Sequence, residues 1–246
     1  MSERTGGFVV AIDGLAGSGK STTARLCALR LGFDHLDTGA MYRAVTLKVI
    51  ESGINPRNTR ALARLLANTC VTVNWAQGQM RVLLDGRDVT QAVRTPEVSA
   101  LVSQVSAIPA VRRKLVAEQR RFAQGRMVVC EGRDIGTVVF PQAQVKVFLV
   151  CDHKERSRRR QLELKQQGRK VSVASVRANL AARDRVDSRR RMSPLRRAKD
   201  AFLVDTTDLT IDEQVAVVCD LVRRQLGRGD QVKGQGAKRS RGDGTA

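Results

Sequence analysis

At 246 residues the chain can bury one sizeable core, and it suits a single α/β domain with insertions better than two full domains. Its 44 Lys and Arg against 24 Asp and Glu leave a net charge of +20, which implies anionic partners such as nucleotides or nucleic acid. No apolar run approaches the length of a membrane span and the opening MSERTGG lacks the apolar core of a signal peptide, so a cytoplasmic location is expected. The five cysteines stand singly in apolar segments without a C-x-x-C pair, which predicts buried, reduced thiols.

The first element is a short buried strand, Val9 to Ile12, which breaks into the glycine-rich stretch Gly14, Leu15, Ala16, Gly17, Ser18, Gly19, Lys20, Ser21, Thr22. This is G-x-x-x-x-G-K-[ST] between a strand and a helix that runs to Gly32. Its backbone N–H groups can turn inward around an anion, Lys20 supplies a charge for β- and γ-phosphates, and the Ser21 hydroxyl can ligate Mg²⁺. Asp34 to Leu36 reads as a second strand, after which Asp37, Thr38 and Gly39 cap a helix from about Ala40 to Gly53. Asn58 caps an amphipathic helix, and Val71 to Trp75 with Met80 to Leu84 reads as a β-hairpin before the turn at Asp85 and Gly86.

Thr95-Pro96-Glu97 opens a helix to about Ala107, and Pro109 opens another that stops at Gly125. Met127 to Glu131 and Val145 to Val150 are near-continuously apolar, as expected of parallel strands covered on both faces. Asp152-x-x-Glu155 predicts a capping box for a basic helix from Lys154 to about Gln167; Gly168 stops it and Ser172 caps the next. Ala201 to Val204 is a fifth strand, and Thr210-x-x-Glu213 caps a last helix through Leu226. Residues 227–246 hold almost no large apolar side chain and are expected to be a disordered basic tail.

A phosphate loop leaves the acceptor open, and the arginines narrow it. Arg43 follows the second strand and Arg133 follows the third, so both face the crevice at the carboxyl ends of the strands and can grip a second phosphate. Arg183, Asp187 and Arg190 share one helix face, as do Arg156, Arg159 and Arg160 on the preceding helix. Two such helices joined near Gln167 and Gly168 predict a hinged lid. Asp13 and Glu131, at strand ends, either assist through metal-bound water or tether the loop.

GLAGSGKST, LDTGAMYRA, RTPEVS with SQVSAIPAVR, EGRDIGTVVFP and RDRVDSRR occur in an order and spacing that resemble the bacterial cytidylate kinases, which are nucleoside monophosphate kinases. The resemblance covers about Val9 to Leu226, departing at Leu15, where proline is frequent, and at Gln142, where aspartate is frequent. It implies a P-loop nucleoside monophosphate kinase fold: a five-stranded parallel sheet, a small β insertion near residues 69–95 in the monophosphate-binding region and a helical lid near 153–192. It implies transfer of the γ-phosphate of ATP to CMP or dCMP with Mg²⁺. The donor site would then be Gly14 to Thr22, and Lys20, Arg133, Arg159, Arg183 and Arg190 would carry catalysis. The CMP site would comprise Asp37, Thr38, Arg43, Ser103, Arg112, Gly132, Arg133, Asp134, Arg183, Asp187 and Arg190. Ser103, Arg112 and Asp134 match positions that read cytosine, and no general base is needed because the attacking phosphate oxygen is already ionised.

Two other readings remain open at this level: a nucleic-acid-binding P-loop protein, and a kinase of the same fold acting on UMP, AMP or a non-nucleotide acceptor. Against the first stand one Trp and one Tyr, too few to stack bases, so no specific nucleic acid partner is expected. With no exposed apolar stripe evident, a monomer is expected.

Overall fold

The structure is a computed structural model and describes residues 7–166 and 168–239, with side chains as far as residue 227. Five parallel strands form the central sheet: β1 (Phe8–Gly14), β2 (Asp34–Asp37), β6 (Met127–Gly132), β7 (Val145–Val150) and β8 (Phe202–Asp205), in the order β2-β6-β1-β7-β8. Parallel pairing puts all five carboxyl ends on one edge, and the register sets Asp37 opposite Glu131 and Asp13 opposite Gly132. The residues with phosphate chemistry are thereby gathered before any side chain is considered.

Alternation along the strands feeds two cores. Val10 and Ile12 point to the face covered by α1 (Lys20–Leu31) and α8 (Ile211–Arg239), where Cys27, Val215, Val218 and Val222 are fully packed. Ala11, Leu36 and Cys130 point to the other face, covered by α2 (Thr38–Glu51) and α5 (Pro109–Ala123) with α3 (Thr59–Ala67) and α4 (Pro96–Ser106) around them. A second, antiparallel sheet is made by β3 (Val71–Ala76), β4 (Gln79–Leu84) and the short β5 (Arg87–Asp88), one strand more than the hairpin read from sequence. β5 bears no alternating apolar pattern, so nothing in its sequence marked it as a strand.

The caps follow the expected chemistry with one exception. Thr210 and Glu213 form a reciprocal box, the Thr210 N–H donating to Glu213 Oε2 at 2.8 Å and the Glu213 N–H to Thr210 Oγ1 at 3.3 Å. At α6 (His153–Gln166) only half of the predicted box exists: Asp152 Oδ1 accepts from the Lys154 and Glu155 N–H groups, while the Glu155 carboxylate turns to Arg158 and Arg159. Two charged partners outcompete one backbone donor. The turn into α7 (Val173–Arg189) passes through Gly168 at φ 75°, and Gln167 lies outside the described residues.

Two expectations are corrected. Helix α8 continues beyond Leu226 to Arg239, because no proline stops it and isolated glycines weaken a helix without ending it; residues 240–246 lie outside the described residues. Cys70, expected to be buried, is exposed at the entry to β3, whereas Cys27, Cys130, Cys151 and Cys219 are buried, and all five are free thiols. Among the described residues no helix is long and apolar enough to cross a membrane.

Candidate active site

The phosphate loop joins β1 to α1. Gly14 sits at φ 150°, and a Cβ there would lie 2.2 Å from the Leu149 carbonyl oxygen, so the first glycine of the motif is required by the closeness of β7. Lys20, in the first turn of α1, is buried; its ammonium donates to the Leu15 carbonyl and stands 3.3 Å from Ser18 Oγ. The Ser21 hydroxyl donates to Glu131 Oε2 at 2.8 Å. Burial alone would raise the Glu131 carboxyl, but the hydrogen bond and charge of His35, with Lys20 and Ser21, outweigh it and hold the group below its usual range. Ser21 therefore faces an ionised carboxylate on one side while its oxygen keeps lone pairs for a hard cation.

Asp13 resolves differently from Glu131. Its two oxygens accept the Ile135 and Gly136 N–H groups at 2.8 Å each, so it clasps the π-helical turn Ile135–Val139 after β6, not the phosphate loop. Arg120 of α5 holds the same turn from behind through the Val138 and Val139 carbonyls. Desolvation pushes the Asp13 carboxyl up to about 6 despite those two backbone donors. Gly132 opens this turn, and a Cβ there would meet Ile135 Cδ1 at 2.6 Å and Thr38 Oγ1 at 2.7 Å.

Above the strand edge the predicted arginines converge. Arg133 pairs with Asp187 of α7 at 2.8 Å, bringing the lid onto the turn after β6. Lys20, Arg43 and Arg183 have no salt-bridge partner among the described residues; Arg43 donates instead to the Ser99 hydroxyl at 3.0 Å, and Arg183 Nε is buried without a partner. Desolvation lowers all three, and Arg133 lowers each of them further, bringing Arg183 down to about 10. Cations lowered by burial and by a neighbouring guanidinium in a dry site form a receptor for an anion, whose charge offsets both effects.

A second network lies deeper. Asp134 is buried between two guanidinium groups, Arg112 on one oxygen and Arg190 on the other at 3.1 Å. Arg112 also lies over the Tyr42 ring, 5.4 Å from its centroid, and donates to the Ser106 carbonyl. Ser103 is buried on α4, but no hydrogen bond joins its hydroxyl to Asp134 or Arg112. The side chains of Asp37 and Thr38 are engaged by backbone, Asp37 accepting the Ala40 N–H and Thr38 donating to the Glu131 carbonyl. Arg159 is not brought into the cluster: Glu155 and the Thr206 carbonyl hold it over the β8–α8 loop, beside Gly19. Thr22 is exposed on α1.

The sequence model of the cytidylate kinase family matches residues 10–224. The chain belongs to the cytidylate kinase family. It is 47% identical over 216 residues to a cytidylate kinase of Carboxydothermus hydrogenoformans, covering 88% of this chain and 97% of that protein. It is 48% identical over 219 residues to one of Geobacter sulfurreducens, covering 89% and 94%, and 49% identical over 224 residues to one of Chlorobaculum tepidum, covering 88% and 93%.

Some features of this site escaped the sequence reading. Asp184 pairs with Arg156, already read as part of the lid's arginine face, to join lid to loop, and Gln214 of α8 accepts from the Thr23 hydroxyl at 3.2 Å beneath the loop. Their only sequence signal is the carboxylate in RDRVD, which local spacing cannot pair with a guanidinium 28 residues away. Among the surplus arginines, Arg185, Arg189 and Arg191 are exposed, whereas Asp187 and Arg190 are buried.

Proposed function

We propose that this protein transfers the γ-phosphoryl group of ATP to CMP and dCMP, giving ADP and CDP or dCDP. Family membership supports the acceptor, and the carrying observation is the cluster of Lys20, Arg43 and Arg183, each lowered by burial and by the nearby Arg133, which Asp187 keeps charged. Two polyanions must be held together for an acceptor phosphate oxygen to bond to the γ-phosphorus as the β–γ bridging bond breaks. Their repulsion is the principal barrier to alignment, and this cluster is built to screen it.

Arg43, Arg133 and Arg183 would hold the acceptor phosphate and orient one oxygen toward the γ-phosphorus. Lys20 and the loop N–H groups would hold the donor phosphates. The acceptor oxygen is already ionised near neutral pH, so no residue needs to take a proton. Ser21, backed by Glu131, is a hard oxygen donor beside a carboxylate held ionised, which fits Mg²⁺; when bound, the ion would add positive charge between the phosphates. The lid pair Arg133–Asp187 would bring α7 over the reacting atoms and exclude water.

The Asp134 network supports the choice of base. A carboxylate accepts the cytosine N4 amino group, while uracil would present its O4 acceptor to the same oxygen and leave it unpaired, at about 1–3 kcal/mol. The test is a coupled ADP-release assay across CMP, dCMP, UMP, AMP, GMP and dTMP. CMP and dCMP should be preferred, and a strong preference for UMP or AMP would sink the assignment of Arg112, Ser103 and Asp134.

A further inference from the structure

His35 touches neither nucleotide in this scheme, yet it is buried near the carboxyl end of β2, beside Glu131. It lies in β2 with Nε2 3.3 Å from Glu131 Oε1, while the other oxygen of Glu131 accepts from Ser21 at 2.8 Å. On its far side the imidazole packs edge-on against the indole of Trp75 in β3, with ring centroids 5.5 Å apart and planes at 82°. A continuous run of contacts thus leads from the second sheet through His35 and Glu131 to the phosphate loop. The neighbouring contact between the sheets, from the Asp37 N–H to Met80 Sδ at 3.2 Å, ends on the cap of α2 instead.

A glutamate held at one oxygen can still swing about its side-chain torsions, and a second hydrogen bond removes that freedom. His35 supplies it. Its Nδ1 is buried and without a hydrogen-bond partner, so among the described residues Glu131 is the hydrogen-bond partner that orients the ring and Trp75 is its aromatic contact.

We propose that His35 is a positioning residue that fixes Glu131 behind Ser21 and couples occupancy of the donor site to the β3–β4 hairpin through Trp75. The inference rests on the reading of Ser21 as the residue facing the metal ion of the donor nucleotide. Trp75 is the only tryptophan of the chain, so its emission reports on this one position.

The experiment titrates the full chain with MgADP, and with ADP plus EDTA, following tryptophan emission and, in parallel, binding by calorimetry. The wild type should show a saturable emission change with MgADP that is several-fold smaller without the metal. His35→Phe keeps an aromatic ring against Trp75 but removes the donor to Glu131. It should lose most of the emission response, weaken MgADP binding roughly fivefold and lower kcat without raising the KM for CMP. His35→Gln, which can donate to Glu131, should recover the affinity. Calorimetric binding of MgADP without an emission change, or His35→Phe behaving as wild type, overturns the proposal. So does a uniform loss of melting temperature and of both substrate affinities that His35→Gln fails to rescue. No MgADP binding by the wild type at all would instead remove the donor-site reading, and the proposal with it.

Discussion

Asp184, in the lid helix α7, accepts a hydrogen bond at 3.3 Å from the backbone N–H of Ala16 in the middle of the phosphate loop. Arg156 of α6 donates to the Ala16 carbonyl at 3.0 Å and pairs with Asp184 at 2.6 Å, so both backbone groups of one loop residue are held by the lid. Ala16 also packs with Leu164, Val176 and Leu180, giving the lid a small core built on the loop.

Asp184→Ala should release this latch. It leaves the Arg156 guanidinium buried without its partner, a loss of about 3 kcal/mol in the lid. Limited trypsin digestion should cut within α6 and α7 faster, and the KM for ATP should rise several-fold while the central sheet melts nearly as before. Unchanged digestion would mean that the apolar contacts alone hold the lid.

Asp134→Ala should separate recognition from donor binding. The KM for CMP should rise and discrimination against UMP should weaken, with ATP binding nearly intact. Because Arg112 and Arg190 share this carboxylate in a dry site, the same change should cost about 3–5 kcal/mol of stability, read by urea denaturation. Asp134→Asn keeps the shape and should lose less stability but as much discrimination. Equal losses toward CMP and UMP would remove this carboxylate from base reading.

Arg133→Ala should lower kcat by about 10²–10³-fold, since it removes the guanidinium proposed to hold the acceptor phosphate and the Asp187 anchor of the lid. Arg189→Ala, at an exposed position near Asp187 at the end of α7, is the control and should leave kcat unchanged. An Arg133→Ala enzyme with wild-type kcat would exclude it from the site.

The raised carboxyl of Asp13 predicts a pH signature. Its ordinary value is 3.8 and burial lifts it to about 6 in the folded chain, so the folded state holds this proton more tightly than the unfolded state. The stability from that proton is present in full below the unfolded value and is lost as pH rises through about 6, a change of about 3 kcal/mol. Asp13→Asn has no such titration. Its stability relative to wild type, measured by urea melts, should therefore improve between pH 4 and pH 7, even though the amide can accept from only one of the Ile135 and Gly136 N–H groups. A constant difference across that range would show that the carboxyl does not titrate there.

Elements with local signals were legible from the chain alone. The apolar strands, the Asn58 and Thr95 caps and the glycine-rich motif each announce themselves within a few residues, through periodicity or steric need. The same holds for the convergence of Arg43 and Arg133, because parallel strands send every strand end to one edge, whereas Arg183 reaches them from the lid helix α7. The half-formed box at Asp152, the continuation of α8 and the exposed Cys70 were not legible, since each depends on which competing partner is within reach or on what packs nearby.

What the sequence determined by itself is a P-loop α/β chain whose motifs place it among enzymes that pass a phosphoryl group from one nucleotide to another. Tertiary structure alone decided which charges are paired and which stay free. Asp187 goes to Arg133, Asp184 to Arg156 and Asp134 to Arg112 and Arg190, leaving Lys20, Arg43 and Arg183 without a salt bridge among the described residues. Each of those pairs joins residues more than 20 positions apart, and in a desolvated site a charge is defined by its partner within 4 Å, a distance the linear order of residues does not encode.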